Sequence, residues 1–257
     1  TFLFDKIVFG PVKSRRLGIS LGINLLPLSK KYCNFDCVYC ECGWSHLEPV
    51  HAQDIPGREE VAETLRDVLG EMKKRGEMPD VITFAGNGEP TMHPQFAGIA
   101  EDTVNIRNDF FPGCKISLLT NATLLQKEPI RKAIEQLDIN ILKLDTAINS
   151  TFEALNKPAA GITLERIIRN LCDYKGNKTV QTLFIRGKNS LSHIDNTTDD
   201  ELNALILAYR KIKPDAIMVY TFERDTPSSE LVRIPVHELE AIASLLEDEG
   251  FNVELTL

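Results

Sequence analysis

Short strand-like runs alternate with stretches of helical apolar period along almost the whole chain, and this alternation restricts the fold more than any other feature. Leu17, Ile19, Leu21, Ile23 and Leu25 alternate with small or polar residues, the two-residue period of a strand. Val61, Leu65, Val68, Leu69 and Met72 then mark one helical face, entered near Asp54 and Pro56. The pattern repeats. Strands are expected over 81–85, 115–119, 139–145, 179–185 and 215–220. Helices are expected after Pro94, over roughly 127–136, along Leu164, Ile167, Ile168 and Leu171, along Leu202, Leu205, Ile206 and Ile212, and along Leu239, Ile242, Leu245 and Leu246. Phe251 to Leu257 reads as a terminal strand. Strands joined through helices pair in parallel with right-handed crossovers, which defines an α/β fold. No domain boundary interrupts the 257 residues, so a single domain is expected, with a core of about 17–221 and a C-terminal helix and strand over 237–257. No apolar run is long enough to span a bilayer.

Three of the six cysteines, Cys33, Cys37 and Cys40, follow the first strand in the order Cys-x-x-x-Cys-x-x-Cys. Three sulfurs aimed at one centre must come from a loop, because neither a helix nor a strand points successive ligands at one spot. Thiolates are the usual ligands of iron–sulfur clusters, and three of them on a cubane leave one iron open for a ligand. Zinc is the alternative, with Cys42 or His46 as fourth ligand, but neither completes a usual zinc spacing. Disulfides rank last. Six cysteines with no apolar secretory segment at the start point to a reducing, cytoplasmic setting.

A second element stands at the end of the second predicted strand, Phe84-Ala85-Gly86-Asn87-Gly88-Glu89-Pro90. Gly86 and Gly88 allow a close backbone approach to a ligand, and Glu89 offers an acceptor suited to an ammonium group.

Cys-x-x-x-Cys-Val-Tyr-Cys together with Gly86-Asn87-Gly88-Glu89 resembles the radical S-adenosylmethionine superfamily. The resemblance implies one 4Fe-4S cluster on Cys33, Cys37 and Cys40, whose open iron is chelated by the amino and carboxylate groups of S-adenosylmethionine. It further implies reductive cleavage of the sulfonium to a 5′-deoxyadenosyl radical that abstracts hydrogen from a substrate. Tyr39 would offer adenine a stacking face, and Glu89 would hold the methionine amino group, Asn87 standing where the family has a glycine. The implied architecture is an open partial (β/α)6 barrel of TIM-like type, with ligands at the C-terminal ends of the strands.

Further cofactor-site candidates follow from position. Asn121, after Thr120, ends the third strand and is placed to bond a ribose or carboxylate. Lys143 and Asp145 alternate across Leu144 onto one face, which in a barrel is the interior. They need partners there: a bound carboxylate and ribose, or each other. Arg186 with Gly187 closes the fifth predicted strand, and Tyr220 with Thr221 the sixth. His93 lies just beyond Glu89, while Cys42 is placed to face the cluster or to act as a reactive thiol. Residues 10–18 read as a basic loop.

Longer stretches narrow the resemblance. Ser20 to Pro27, Gly86 to Pro94, Lys143-Leu144-Asp145, Phe152 to Pro158 and Thr182 to Gly187 look like the bacterial stand-alone proteins grouped with wyosine-base synthases, which modify transfer RNA. No second cysteine triplet precedes Cys33. The net charge is −8, against the basic footprint of nucleic-acid binders; only Lys13, Arg15, Arg16, Lys30 and Lys31 form a local basic set. The chain therefore reads as an oxidoreductase or lyase of unidentified substrate, small molecule, peptide or RNA, with no DNA or membrane partner. An external electron donor such as flavodoxin or ferredoxin is expected. Transfer-RNA base modification is the alternative within that class, and a non-catalytic electron carrier or redox sensor the alternative outside it.

Overall fold

Six parallel strands stand side by side in chain order, and they build the frame of the site. The computed structural model describes residues 2–14, 17–45, 49–189, 192–224 and 226–256. The six are β2 (Gly18–Ile23), β3 (Val81–Phe84), β4 (Lys115–Thr120), β5 (Ile139–Lys143), β6 (Thr179–Leu183) and β9 (Ala216–Tyr220). β11 (Val253–Leu255) extends the sheet in parallel beyond β9, and β1 (Val8–Ser14) pairs antiparallel with β2 at the other edge. The order β1-β2-β3-β4-β5-β6-β9-β11 is linear, so the barrel stays open. The seven α-helices among the described residues are α1 (Arg58–Arg75), α2 (Phe96–Phe110), α3 (Glu128–Ile134), α4 (Asn149–Asn156), α5 (Leu164–Asp173), α6 (Asp199–Ile212) and α7 (Val236–Asp248).

Register explains how such a sheet sorts its side chains. Partners across parallel strands share a face, so Gly22, Thr83 and Ser117 lie on the same side, as do Lys143, Gln181 and Met218 farther along. This face carries Ser20, Thr83, Ser117, Lys143 and Gln181, and Ser20 bonds Thr83 at 3.0 Å. The opposite face carries Ile23, Phe84, Leu118, Leu142, Val180 and Val219, all buried in the main core. The apolar face is the one that the helices cover, so the polar face lines the inside of the half-barrel. Lys143 is therefore interior, as its alternation with Asp145 predicts.

The helices form where period and caps coincide. α1 buries Val61, Leu65, Leu69 and Met72 on one stripe and ends at Gly76, whose φ is 70°. α6 begins at Thr198, whose side chain accepts from Glu201 N. Full burial of each such Leu or Ile contributes about 1.5–3 kcal/mol.

Three elements depart from expectation. The basic loop over 10–18 is largely the hairpin arm β1, with Arg15 and Arg16 outside the described residues. α4 is present although its entry at Ile148 has no side-chain cap bond. The fifth strand stops at Leu183 instead of running to 185. Asn196 donates to Leu183 O at 2.7 Å and accepts from Ile185 N at 2.8 Å, diverting the chain into β7 (Ile185–Asn189). β7, β8 (Ser192–Asp195) and β10 (Leu231–Arg233) form a separate antiparallel sheet of order β10-β7-β8.

Candidate active site

The cysteine loop leaves β2 and is held between two other loops. On one side Tyr32 N donates to Asn87 O at 2.8 Å and Tyr32 O accepts from Glu89 N at 3.1 Å. This pairing brings the chain so near Gly88 (φ 143°) that a Cβ there would lie 1.9 Å from Tyr32 O. At Gly86 (φ 149°) a Cβ would meet Asn24 Oδ1 at 2.4 Å. Both glycines thus serve close approach to the protein's own chain. On the other side the loop pairs with the end of α4. Asp36 N donates to Asn156 O at 3.0 Å, Val38 N to Leu155 O at 3.0 Å, and Ala159 N to Asn34 O at 2.9 Å.

Lys31 clasps the loop from within. Its side chain is 1% exposed, and Nζ donates to Asp36 Oδ1 at 2.9 Å and to Gly43 O at 3.0 Å. Burial opposes its charge, but Cys40, Asp36, Cys33 and Cys37 outweigh that and raise its pKa. Sequence reading missed this role because Lys30-Lys31 looks like a solvated pair. Lys30 also turns inward to the protein, pairing with Asp54 at 3.0 Å. The basic set suggested for RNA contact is thereby reduced to Lys13 among the described residues.

The ligand sulfurs receive hydrogen bonds. Cys33 Sγ accepts from Phe35 N at 3.4 Å and lies 3.8 Å from Asn121 Nδ2; Cys37 Sγ accepts from Asn156 Nδ2 at 3.4 Å. Burial raises the Cys37 thiol to about 11, with Lys143 opposing, and burial followed by the Glu89 charge raises Cys33. Cys40 is lowered to about 6 by a hydrogen bond from Cys42, with burial opposing and Lys31 assisting. Cys42 Sγ also lies 3.5 Å from Gly86 O, an alternative acceptor for its single hydrogen, so it stands between the cysteine and glycine loops.

Glu89 is 2% exposed at the end of β3, capping the turn Pro90–Met92. Oε1 accepts from Thr120 Oγ1 at 2.6 Å and from Thr91 Oγ1 and N; Oε2 accepts from Asn121 N at 2.7 Å. Burial raises its pKa and these donors restrain the rise. Oε1 is saturated, whereas Oε2 has one observed donor. Asn121 links this carboxylate to the cysteine loop through its side chain, which donates to Asn34 Oδ1 at 2.7 Å.

Lys143 and Asp145 do pair with each other, at 3.5 Å from Nζ to Oδ1. Lys143 Nζ also lies 3.5 Å from Tyr220 OH and 5.0 Å from the Tyr39 ring centroid. These are long contacts, and the Lys143 side chain keeps 20% exposure. Asp145 is fully enclosed: Tyr39 OH and Asn156 Nδ2 (2.8 Å) donate to Oδ2, and Leu183 N donates to Oδ1 at 3.1 Å. Asp145 thus anchors Tyr39, and with it the cysteine loop, to β6.

Arg186 stands apart from this cluster, and Asn87 meets the cysteine loop through its backbone carbonyl. Arg186 lies on β7 and binds Glu238 at 2.6 Å and Thr197 at 2.7 Å. The polar atoms of the Asn87 side chain are engaged by Phe4 and Pro27. His93 is also structural: Nε2 bonds Pro56 O at 2.9 Å and Nδ1 accepts from Gln95 N at 3.0 Å. His46, one fourth-ligand candidate for zinc, lies outside the described residues. Among the described residues no group of three or more His, Cys, Asp or Glu is arranged to hold a single metal ion.

A sequence profile described as the Radical SAM superfamily matches residues 30–212, spanning both the cysteine loop and Glu89. A "UPF0026 protein" of Helicobacter pylori strain J99 is 34% identical over 256 residues, covering 97% of this chain and 76% of that protein. Another from Helicobacter pylori strain 26695 is 36% identical, covering 71% and 58%. A protein named "GTPase Obg" from Brachyspira hyodysenteriae is 28% identical, covering 95% of this chain and 34% of its own length. The chain thus spans about a third to a little over half of these last two. A radical SAM methyltransferase from Sphaerobacter thermophilus shares the fold at TM-score 0.64 and 13% identity, covering 92% of this chain and 65% of that one. Archaeal TYW1 does so at TM-score 0.56 and 14% identity, covering 90% and 72%. The chain belongs to the Radical SAM superfamily, and within it to the UPF0026 group. It has the open partial barrel of that class, and the family implies a 4Fe-4S cluster, S-adenosylmethionine, a reductant and a substrate. The residues present suit the cluster: three thiols on one buttressed loop, two amides directed at their sulfurs, and a buried ammonium beside them.

Proposed function

We propose that Cys33, Cys37 and Cys40 hold the cluster and that Glu89, Asn121, Lys143 and Tyr39 receive S-adenosylmethionine beside it. When bound, the cluster and S-adenosylmethionine supply radical initiation by one-electron cleavage of the sulfonium, ahead of hydrogen abstraction from a substrate. The observation that carries this reading is the convergence of two distant motifs. Tyr32 pairs with the Gly86–Glu89 loop, and Asn121 joins Glu89 to Cys33 and Asn34.

The chain's own residues then have definite tasks. Glu89, its Oε1 saturated, presents Oε2 to the amino group of the cofactor. Lys143, on long contacts in the polar interior, supplies a cation for a carboxylate. Asp145 keeps Tyr39 fixed through its hydroxyl, which sets the orientation of the aromatic face. The backbone pairs on both sides of the cysteine loop exclude water from the buried Cys37. An electron carrier has no use for such an ordered acceptor and cation. The transfer-RNA alternative rests on the likeness of the longer sequence stretches to wyosine-base synthases, while Lys30 and Lys31 are engaged internally.

The test is electron paramagnetic resonance of the anaerobically reconstituted, reduced protein with and without S-adenosylmethionine. A changed cluster spectrum on addition is expected. An unchanged spectrum at saturating cofactor contradicts binding at the open iron.

A further inference from the structure

We propose that Asn156 is a positioning residue that raises the reduction potential of the cluster through its hydrogen bond to Cys37. The proposal rests on the cluster reading above. Asn156 is the last residue of α4 and is 2% exposed, so its side chain has no water to bond. Its Nδ2 lies 2.8 Å from Asp145 Oδ2, 3.4 Å from Cys37 Sγ and 3.5 Å from Tyr39 OH. The amide carries two hydrogens. Asp145, itself fixed by Leu183 N, orients one of them, and the other is directed to the ligand sulfur.

A reduced cluster carries one more negative charge than the oxidised one. An N–H donor at a ligand sulfur stabilises that extra charge more than the oxidised state, and hydrogen bonds to the sulfurs are among the determinants of cluster potential. The shape of the loop does not depend on this side chain. Asp36 N bonds the backbone carbonyl of Asn156 and Val38 N that of Leu155, contacts that survive a change of side chain at 156. The amide also ties Cys37 to Asp145 and Tyr39, joining the ligand loop to β5 and β6 through one group.

The measurement is a redox titration of the reconstituted holoprotein followed by electron paramagnetic resonance. Asn156→Leu keeps the volume and removes the donor, and Asn156→Asp replaces the donor with an acceptor. Asn156→Leu should lower the reduced-to-oxidised ratio at fixed potential about tenfold, which is about 59 mV for a one-electron couple. Asn156→Asp should lower it further, an ordering that a purely structural role would not produce. Unchanged midpoints in variants that fold and load the cluster overturn the proposal. Should neither variant load, nuclear double resonance on holoprotein labelled with 15N in asparagine amides, in an Asn121→Leu background, decides. A coupled nitrogen supports the bond, and its absence overturns it. A wild-type protein that takes up no iron and sulfide overturns the cluster reading, and this inference with it.

Discussion

Asn87 grips Phe4 as a neighbouring strand would. Its Oδ1 accepts from Phe4 N at 2.8 Å and its Nδ2 donates to Phe4 O at 2.9 Å. Phe4 in turn stacks on Phe9 at 3.6 Å between ring centroids, and Phe2 N bonds Glu41 O, one residue past Cys40. The residue that departs from the family's glycine therefore ties the N-terminal segment across both motif loops.

Asn87→Gly should free that segment while leaving the glycine loop able to form. Three side-chain hydrogen bonds are lost, two to Phe4 and one to Pro27 O, and at roughly 0.5–1.5 kcal/mol each a loss of about 1.5–4.5 kcal/mol in unfolding free energy is expected. Faster hydrogen exchange at the Phe4 amide checks it directly, and unchanged exchange would contradict the role.

Glu89→Gln should fold and load the cluster, because the amide oxygen keeps the acceptor toward Thr120 and Thr91 and only the NH2 is turned against Asn121 N. The charge-assisted bond to an ammonium group is lost, a term of about 1.5–3 kcal/mol. Affinity for S-adenosylmethionine should fall roughly 10- to 150-fold on that basis. Anaerobic calorimetry measures it, and an affinity equal to wild type would remove Glu89 from the cofactor site.

Lys31→Met removes a buried cation and its bonds to Asp36 and Gly43 O, while Asp36 keeps Ser45 N and Oγ as donors. Asp36 keeps 33% side-chain exposure, so water compensates part of the loss. About 1–3 kcal/mol is expected in chemical denaturation of the cluster-free protein. A Lys31→Met protein as stable as wild type would show that the clasp contributes nothing.

His93 should make stability fall on the acid side. Burial depresses its pKa below the usual 6.5, with the bond to Pro56 opposing. The unfolded chain therefore takes up a proton as pH drops through 6.5, while the folded chain does so only at lower pH. The stabilisation is complete above that value and declines below it, by at most about 1.4 kcal/mol per pH unit. His93→Gln, which can keep a donor toward Pro56, should flatten this slope between pH 6.5 and 5. Parallel slopes for the two proteins would contradict the assignment.

The order of the six parallel strands is legible in the sequence because each strand–helix unit carries its own local period. β1 is not, since Gly10 and Pro11 interrupt it and its partner β2 supplies the pairing. α4 has eight residues and no capping side chain at its start, so only tertiary contacts reveal it. The cysteine ligands and Glu89 are legible because their chemistry is tied to spacing. Asn156 is not, because the partners that give it meaning lie 119 residues away at Cys37 and 11 residues away at Asp145. That Arg186 lies on β7 and not at the end of β6 is hidden for a related reason: the turn at Leu183 is made by Asn196, which no local pattern ties to the end of a strand.

The most direct test of radical initiation is product analysis after anaerobic reconstitution with iron and sulfide. The protein is reduced with dithionite in the presence of S-adenosylmethionine, and nucleosides are identified by mass spectrometry. The account predicts 5′-deoxyadenosine from the wild type and none from Cys37→Ala, which lacks one of the three sulfurs. Equal 5′-deoxyadenosine from both proteins, or none from a wild type with its cluster intact and reduced, would contradict it.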